Sequence, residues 1–344
     1  MDKRGPDEQR ALSIRDIARL AGVSRQTVSR VVNGERYIKA STEAQVRKVI
    51  EENAWRPNSA ARALATSRSQ TIGLLVSARS HYGPFSAATA IDEAARARGY
   101  AILSATLAQE DDATISEALD AFAAHGVDGV VVIAPQQRAH EALKRVATGV
   151  PFVSLHWKDV GDARVAAFDQ EAGARLATRH LIELGHTRIR HLAGPQDWSE
   201  AEDRMNGFLA ELSDHDLPAT APVLGDWTPD LGYEVGLRLL EHPDFTAVFA
   251  SNDQMALGLM HAAADLGLSV PGDLSIVGFD DIPEAKHFAP PLTTIRQDFG
   301  WLGARAIDVL VSQIEGEDAA GLTDYPVPQL VVRQSTAPPR APFG

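Results

Sequence analysis

The sequence has no cysteine and no long apolar run, and each absence excludes a class of protein. Without cysteine among its 344 residues, the chain can form no disulfide, no thiolate nucleophile and no cysteine-ligated metal centre. No apolar segment reaches the roughly 18 residues that a membrane-spanning helix requires. The first residues are polar and lack the apolar centre of a secretory signal. We therefore expect a cytoplasmic protein that has no membrane partner.

Motifs for catalysis and for nucleotide binding are also missing. No two of the 26 glycines are two residues apart, so the dinucleotide fingerprint G-x-G-x-x-G cannot occur. The chain has neither the zinc motif H-E-x-x-H nor the nucleophile turn G-x-S-x-G. Its 11 histidines are scattered without metal-ligand spacing. The sequence therefore predicts no catalytic residue, no metal and no cofactor.

Charge is distributed unevenly along the chain. Residues 1–68 carry 14 Lys and Arg against 8 Asp and Glu, whereas the remainder carries 19 against 38. The overall net charge of −13 therefore combines a head of +6 with a body of −19. A basic head on an acidic body confines attraction for a polyanion to one end. We predict that the head binds nucleic acid and that the body does not.

Residues 24–34, read as SRQTVSRVVNG, predict a short helix with one apolar face. Ser24 can cap its first turn, and Gly34 can stop it in a left-handed conformation. Three valines fall at helical spacing, and Arg, Gln, Thr, Ser and Asn cover the other faces. Arg and Gln are the side chains that pair with guanine and adenine edges. Taken alone, the pattern fits an ordinary amphipathic helix as well as a helix that enters a DNA groove.

The flanking residues favour the DNA-binding interpretation. Ser13 and Asp16 resemble a capping box and predict a helix that ends near Ala21, followed by a glycine turn. Two short helices joined in this way form a helix-turn-helix. Thr42 and Gln45 start a predicted third helix. We place a disordered tail at 1–12, the helix-turn-helix domain at 13–57 and a hinge or linker at 58–69.

From residue 71 onward, short apolar runs alternate with helical stretches. The predicted strands span 72–76, 101–104, 129–133, 152–155, 165–168, 189–193, 247–250 and 275–279. The predicted helices span 87–98, 113–125, 172–184, 201–212, 231–240, 254–266 and 302–314. Such alternation indicates an α/β fold with parallel sheets, here long enough for two lobes. A ligand cleft is expected at the carboxyl ends of the strands.

The two halves together resemble the lactose/galactose repressor (LacI/GalR) family of bacterial transcription regulators. The resemblance covers residues 13 to about 335. In the head it rests on IRDIARLAGVSRQTVSRVVNG (14–34), RPN (56–58) and ARAL (61–64). In the body it rests on LGH (184–186), AGP (193–195), SNDQMALG (251–258), VGFDD (277–281) and PPLTTI (290–295).

The resemblance implies roles for residues of the head. Arg25, Gln26 and Arg30 would reach base edges in the major groove. The sugar-phosphate backbone would be held by Ser24, Thr27, Ser29, Asn33, Tyr37 and Asn58. A hinge helix at 59–65 would fold only on DNA, with Ala61 allowing close approach and Leu64 wedged into the minor groove. A helix so short is unstable alone, which agrees with that role, although a plain linker is the alternative.

For the body, the resemblance implies a periplasmic-binding-protein-like domain over 70–344. Its first lobe would comprise about 70–168 and 299–328, and its second lobe about 169–296 and 329–340. The residues expected to face a ligand are Arg204, Trp227, Asn252, Asp280 and Phe299. His81–Phe85, with Phe85 in particular, and Trp198 are expected either as further walls or, equally, as part of the core of a lobe. His156 stands where the family's nearest members place an aspartate that binds sugar hydroxyls.

We predict a repressor that acts as a homodimer on double-stranded, pseudo-palindromic operator DNA. A saccharide effector, a glycoside or a disaccharide, would bind the cleft and release the DNA. The alternatives are a corepressor-dependent regulator of the same family, a carbohydrate-binding transport protein and an enzyme of sugar metabolism. The missing signal segment and the basic head disfavour transport, and the missing catalytic motifs disfavour an enzyme.

Overall fold

The computed structural model describes residues 12–32, 38–55, 68–77, 81–107, 111–134, 136, 150–155, 165–241, 243–317 and 325–340. The chain divides into two compact units, residues 1–69 and 70–344. The segment 1–11 and hinge residues 58–67 lie outside the described residues. So do Asn33, Tyr37, Asn58, Ala61, Leu64 and His156, to which the sequence assigned roles.

The described part of the head consists of three short helices around a small apolar core. The helices are α1 (Ile14–Leu20), α2 (Arg25–Val32) and α3 (Ala40–Glu52). The core is formed by Ile17, Ala18, Ala21, Val28, Val31 and Val46. The expected apolar face of residues 24–34 is therefore the buried face of α2, and its polar residues lie outside the core.

Local capping explains where the first two helices begin. The amide of Ser13 donates to Oδ2 of Asp16 at 3.0 Å, and the amide of Asp16 donates to Oγ of Ser13 at 3.4 Å. This is the predicted capping box. The amide of Thr27 donates to Oγ of Ser24 at 3.1 Å, so Ser24 caps α2. The third helix begins at Ala40, two residues before the predicted start at Thr42. No side chain caps this start, so no capping residue marks it in the sequence.

The first lobe of the body contains a five-stranded parallel sheet. Its spatial order is β2-β1-β3-β4-β5. The strands are β1 (Thr71–Ser77), β2 (Ala101–Leu107), β3 (Gly129–Ile133), β4 (Phe152–Leu155) and β5 (Val165–Ala166). Its helices are α4 (Tyr82–Ala97), α5 (Asp112–Ala124) and α10 (Phe299–Glu315).

The second lobe contains a four-stranded parallel sheet in the order β7-β6-β8-β9. Its strands are β6 (Ile189–Ala193), β7 (Val223–Leu224), β8 (Ala247–Ala250) and β9 (Ser275–Val277). Its helices are α6 (Gln170–Glu183), α7 (Ser199–Asp214), α8 (Pro229–Leu240) and α9 (Asp253–Asp265). A separate antiparallel pair is formed by β10 (Thr294–Arg296) and β11 (Gln329–Val331).

Helices cover both faces of each sheet. In the first lobe, α4 and α10 share one core with the sheet, and α5 packs on the other side. In the second lobe, α8 and α9 cover one face while α6 and α7 cover the other. The predicted α/β fold with parallel sheets in two lobes is confirmed. With both faces covered, the ends of the strands remain the surface for a ligand.

Several boundaries differ from the predicted ones. Helix α4 begins at Tyr82, five residues before the expected start, because Pro84 is tolerated in a first turn. The predicted strands at 165–168 and 275–279 end earlier, at Ala166 and Val277. Strands β7, β10 and β11 were missed, since two or three residues are too few to produce a periodic pattern.

Two kinds of feature are absent from the described part of the body and head. No helix there is long and apolar enough to cross a membrane. The same residues contain no group of three or more His, Asp or Glu side chains that could hold a metal ion.

Helices α8 and α9 approach each other closely at Gly258, and we predict that Gly258→Ala separates them. A Cβ there would lie 2.6 Å from the amide nitrogen of Tyr233 and closer still to the carbonyl oxygen of Pro229. Overpacking of this kind costs about 1–3 kcal/mol. Urea denaturation should show that loss, whereas the exposed control Glu234→Ala should stay within about 0.5 kcal/mol of wild type. Equal stability of Gly258→Ala and wild type would contradict the packing described.

Candidate functional site

One cavity lies between the two lobes and holds about 410 Å³ of empty space, part of it open to solvent. Its walls come from loops after β1, β6, β7, β8 and β9 and from segments that connect the lobes. This is the end of the strands at which ligands bind in doubly wound sheets. The lining residues are His81, Tyr82, Gly83, Pro84, Gln170, Trp198, Glu200, Arg204, Trp227, Asn252, Asp280, Gln297 and Phe299.

The cavity brings together most of the residues that the sequence predicts to face a ligand. Six of them line it: Trp198, Arg204, Trp227, Asn252, Asp280 and Phe299. Phe85 is elsewhere, 65% exposed in a neighbouring open depression beside Leu257 and Phe288. Because α4 begins at Tyr82, Phe85 belongs to the helix and not to the loop before it. His156 is outside the described residues.

Three further polar residues of the cavity were missed by sequence reasoning. Gln170 and Gln297 lie beside the points where the chain was expected to cross between lobes, near 168–169 and 296–299. A polar residue next to a crossing is the signal that could have found them. Glu200 lies in the first turn of α7, where an acidic residue is ordinary helix chemistry and gives no signal.

Four buried side chains form a closed ring of hydrogen bonds in the cavity wall. Nε of Arg204 donates to Oε1 of Gln170 at 2.9 Å, and Nε2 of Gln170 donates to Oε1 of Gln297 at 2.8 Å. Nε2 of Gln297 donates to Oδ1 of Asp280 at 2.8 Å, and Nη2 of Arg204 reaches the same oxygen at 3.5 Å. We call these four residues the polar ring. None is more than 7% exposed, so water does not weaken its bonds.

The charges in the polar ring are costly to bury. Desolvation raises the pKa of Asp280 to about 6, although the Arg204 guanidinium and the Gln297 amide favour its ionised form. Desolvation also lowers the pKa of Arg204. Behind the ring, burial and the charge of Asp280 raise the pKa of Asp253 well above its ordinary value. Removing one partner of the Arg204–Asp280 pair would leave an uncompensated buried charge.

Three residues at the cavity adopt left-handed backbone conformations. The φ angles are +72° at Trp227, +106° at Asp280 and +52° at Asp281. Such conformations cost about 1–3 kcal/mol each for residues other than glycine. Neighbours hold them: Nδ2 of Asn252 donates to the carbonyl of Trp227 at 3.0 Å, and the Asp280 amide donates to the carbonyl of Ile295 at 2.8 Å. Strain concentrated in this way is typical of a ligand site.

Asp281, the residue after Asp280, connects the polar ring to the segments that cross between the lobes. Oδ2 of Asp281 accepts from Nε of Arg296 at 2.6 Å, and Oδ1 accepts from Nη2 of Arg333 at 2.5 Å. Arg296 ends β10, immediately before Gln297, and Arg333 follows β11. The residue next to Asp280 is therefore bonded to segments that join the two lobes.

Trp198 links the lobes at the cavity. Its ring lies edge-on to Trp227 with a centroid distance of 5.5 Å, and to His81 of the first lobe at 5.3 Å. Its backbone forms an isolated antiparallel bridge with Gln136, which follows β3. The indole nitrogens of Trp198 and Trp227 are buried and find no acceptor within the described residues. A ligand that supplies both a flat face and oxygen acceptors would satisfy them.

A second candidate site is the exposed face of α2. Its exposed residues include Ser24, Arg25, Gln26 and Arg30, and Thr27 and Ser29 are half-buried. Val28 and Val31 hold the opposite face against the core of the head. Gln45 secures the turn before α2, since its Nε2 donates to the carbonyl of Ala21 at 3.0 Å. A small helix with one basic, amide-bearing exposed face can read base edges in a major groove.

Gly194 gives a direct test of how Trp227 is positioned. A Cβ at Gly194 would lie 2.7 Å from Cζ3 of Trp227, so Gly194→Ala should displace the indole ring. We expect a changed near-ultraviolet circular dichroism spectrum and a stability loss of about 1–3 kcal/mol. Asp197→Ala, an exposed position in the same loop, is the matched control and should change neither. An unaltered aromatic spectrum of Gly194→Ala would show that Gly194 does not fix the ring.

Comparison with known proteins places the chain in a family. Residues 13–58 match the model for bacterial regulatory proteins of the lacI family, and residues 178–336 match a periplasmic binding protein-like domain. The chain is 34% identical over 308 residues to the ribose operon repressor of Escherichia coli K12, covering 88% of this chain and 93% of that protein. It is 33% identical over 334 residues to the transcriptional repressor PurR of Haemophilus influenzae (strain PittEE), covering 94% and 98%.

Solved structures agree with the sequence matches. The structure of the Lac repressor dimer bound to operator and the anti-inducer ONPF superposes with a TM-score of 0.81 at 33% identity. The match covers 95% of this chain and all of that chain. The family resemblance in the sequence is thus confirmed, and the relatives are regulators and not enzymes. The chain belongs to the LacI family and is a ligand-responsive, DNA-binding transcriptional repressor.

Proposed function

We propose that this repressor binds a pseudo-palindromic operator as a homodimer and releases it when a saccharide, a glycoside or disaccharide, enters the cavity. The observation that carries the proposal is the polar ring, which lies beside aromatic faces in a cavity between two lobes. Because operator DNA lies in the bacterial cytoplasm, the proposal places the protein there.

The DNA-binding part of the proposal rests on charge and on α2. The head carries +6 and the rest of the chain −19, so only the head attracts the DNA backbone. The exposed Arg25, Gln26 and Arg30 are side chains suited to base edges. A dimer reads two half-sites, so the operator should have matching two-fold symmetry. The hinge role of Ala61 and Leu64 belongs to the same proposal.

The chemistry of the cavity supports a saccharide. Trp227 and Phe299 offer flat apolar faces to a pyranose ring, and Asn252 and Arg204 offer polar partners. Asp280 accepts two bonds within the polar ring, and a ligand hydroxyl would bond to the same carboxylate. The ribose operon repressor and the Lac repressor are among the proteins that this chain resembles. His156 would complete the site at the position where the family resemblance implies an aspartate that binds sugar hydroxyls.

Release of DNA would follow from a change at the lobe crossings. A ligand that binds Asp280 competes with bonds of the polar ring, and Asp281 and Arg296 connect that ring to β10. Coupling between sites of this kind typically amounts to ~1–3 kcal/mol. PurR repressors are also among the relatives, and they favour a second candidate, a corepressor-dependent regulator in which the ligand strengthens DNA binding. Operator binding with and without saccharide decides between the two.

Arg30 provides a test of the DNA-binding proposal. We predict that Arg30→Ala weakens binding to a selected operator by roughly 1–3 kcal/mol and relaxes the preference at one base position. Fluorescence anisotropy with a set of single-base operator variants measures both quantities. Arg47→Ala is the control, because Arg47 pairs with Glu43 on α3 at 2.8 Å. Unchanged affinity and unchanged base preference in Arg30→Ala would refute its role as a base reader.

Asp280 provides a pH test of the ligand proposal. Its pKa is about 6, so the carboxylate that accepts a ligand hydroxyl is mostly ionised at pH 7 and mostly protonated at pH 5. We predict that saccharide affinity, measured by calorimetry, falls about tenfold from pH 7 to pH 5. Asp280→Asn should bind more weakly and lose this dependence. If Asp280→Asn keeps the wild-type pH profile, another group controls it.

A further inference from the structure

We infer that the cavity selects uncharged saccharides against phosphorylated and acidic ones, and that Glu200 together with Asp280 imposes this selection. The inference rests on the proposed function and specifies its ligand class. Both carboxylates line the cavity and are buried, with exposed fractions of 6% and 7%. A third carboxylate, Asp253, lies wholly buried behind Asp280. An anion entering the cavity therefore meets two poorly solvated carboxyl groups.

The one guanidinium among the described lining residues, that of Arg204, already bonds to the protein. Among the described lining residues, Arg204 is the only Lys or Arg. Each of its three nitrogens has a protein partner: Nε donates to Gln170, Nη1 to the carbonyl of Ser251 and Nη2 to Asp280. Its Cζ also lies 3.8 Å from the ring centroid of Phe279. Three of its five N–H donors are thus used by the protein, and the Nε edge that would clamp a phosphate or carboxylate with two parallel bonds is occupied by Gln170.

Most helix N-termini near the cavity, the usual alternative for anion binding, already carry an acceptor or an acidic side chain of the protein. Helix α6 begins with its Asp169 side chain accepting from the Ala172 amide, and α10 with Asp298 accepting from the Trp301 amide. Helix α9 begins with its Asn252 side chain accepting from the Met255 amide, whereas α7 has no side-chain cap and carries the acidic Glu200 in its first turn. Helix α4 has Pro84 in its first turn and therefore one amide donor fewer. Three of these five helix starts are thus capped by a side chain, and a fourth carries a carboxylate in its first turn that disfavours a bound anion.

The remaining polar groups favour hydroxyls. The indole nitrogens of Trp198 and Trp227 are buried donors without an acceptor in the described part of the chain. Glu200 and Asp280 are acceptors that lie in the same cavity. A hydroxyl both donates and accepts, so a hydroxylated ring can bond to the indole donors and to the carboxylates at the same time. A phosphate dianion or a carboxylate only accepts, and it cannot bond to the carboxylates at all.

The test compares neutral sugars with derivatives of them that carry a phosphate or a carboxylate. Full-length protein is titrated by calorimetry with ribose, glucose, galactose, lactose and cellobiose. The charged counterparts are ribose 5-phosphate, glucose 6-phosphate, galactose 6-phosphate, glucuronate, galacturonate, lactobionate and cellobionate. We expect at least one neutral sugar to bind, with its charged counterparts roughly 100-fold weaker or worse. In Glu200→Gln the ratio of neutral-sugar affinity to charged-sugar affinity should shrink at least about tenfold. In the exposed control Glu202→Gln this ratio should not change.

The outcomes separate this inference from the proposed function. A charged sugar that binds as tightly as its neutral counterpart would overturn the charge selection and leave a saccharide-responsive repressor in place. If the ratio of neutral-sugar to charged-sugar affinity in Glu200→Gln equals that of wild type, the role of Glu200 is overturned. Binding of none of these sugars, combined with binding of a nucleobase such as hypoxanthine, would overturn the proposed saccharide effector and this inference with it.

Discussion

The buried pair of Arg204 and Asp280 is the interaction on which the rest of the ligand-binding body depends. Each of its charges is expensive to desolvate, and each is stable only because the other is present together with two glutamine amides. The polar ring therefore has one low-energy arrangement. A ligand that takes over some of its bonds must change that arrangement, which gives a small molecule control over a large protein.

Backbone placement makes the polar ring possible. Asn252 caps α9 and holds Trp227, whose left-handed conformation turns its side chain into the cavity wall. Asp280 and Asp281 follow β9 in left-handed conformations, so one carboxylate joins the ring and the other joins Arg296. Through Gln297 and Asp281, the cavity wall is thus bonded to a segment that joins the two lobes.

The sequence predicted the fold class well because long apolar runs alternate with helical patterns, and capping residues such as Ser13 and Ser24 marked helix starts. It did not predict β7, β10 and β11, which are too short to be periodic. It missed Gln170 and Gln297 because their importance comes from tertiary contacts between distant segments, 127 residues apart in the chain. Family resemblance pointed to six residues of the cavity, but the amides that connect them became visible only in three dimensions.

The most direct test of this account is the coupling between effector and operator in Gln297→Met. Operator affinity is measured with and without a saturating saccharide in wild type and in the variant, and the ratio of the two affinities gives the coupling. Methionine keeps the length of the side chain and removes both of its ring bonds, to Gln170 and to Asp280. The account predicts that the ratio falls toward one while the variant still folds and still binds operator. A wild-type ratio in Gln297→Met would contradict the claim that the polar ring carries the signal.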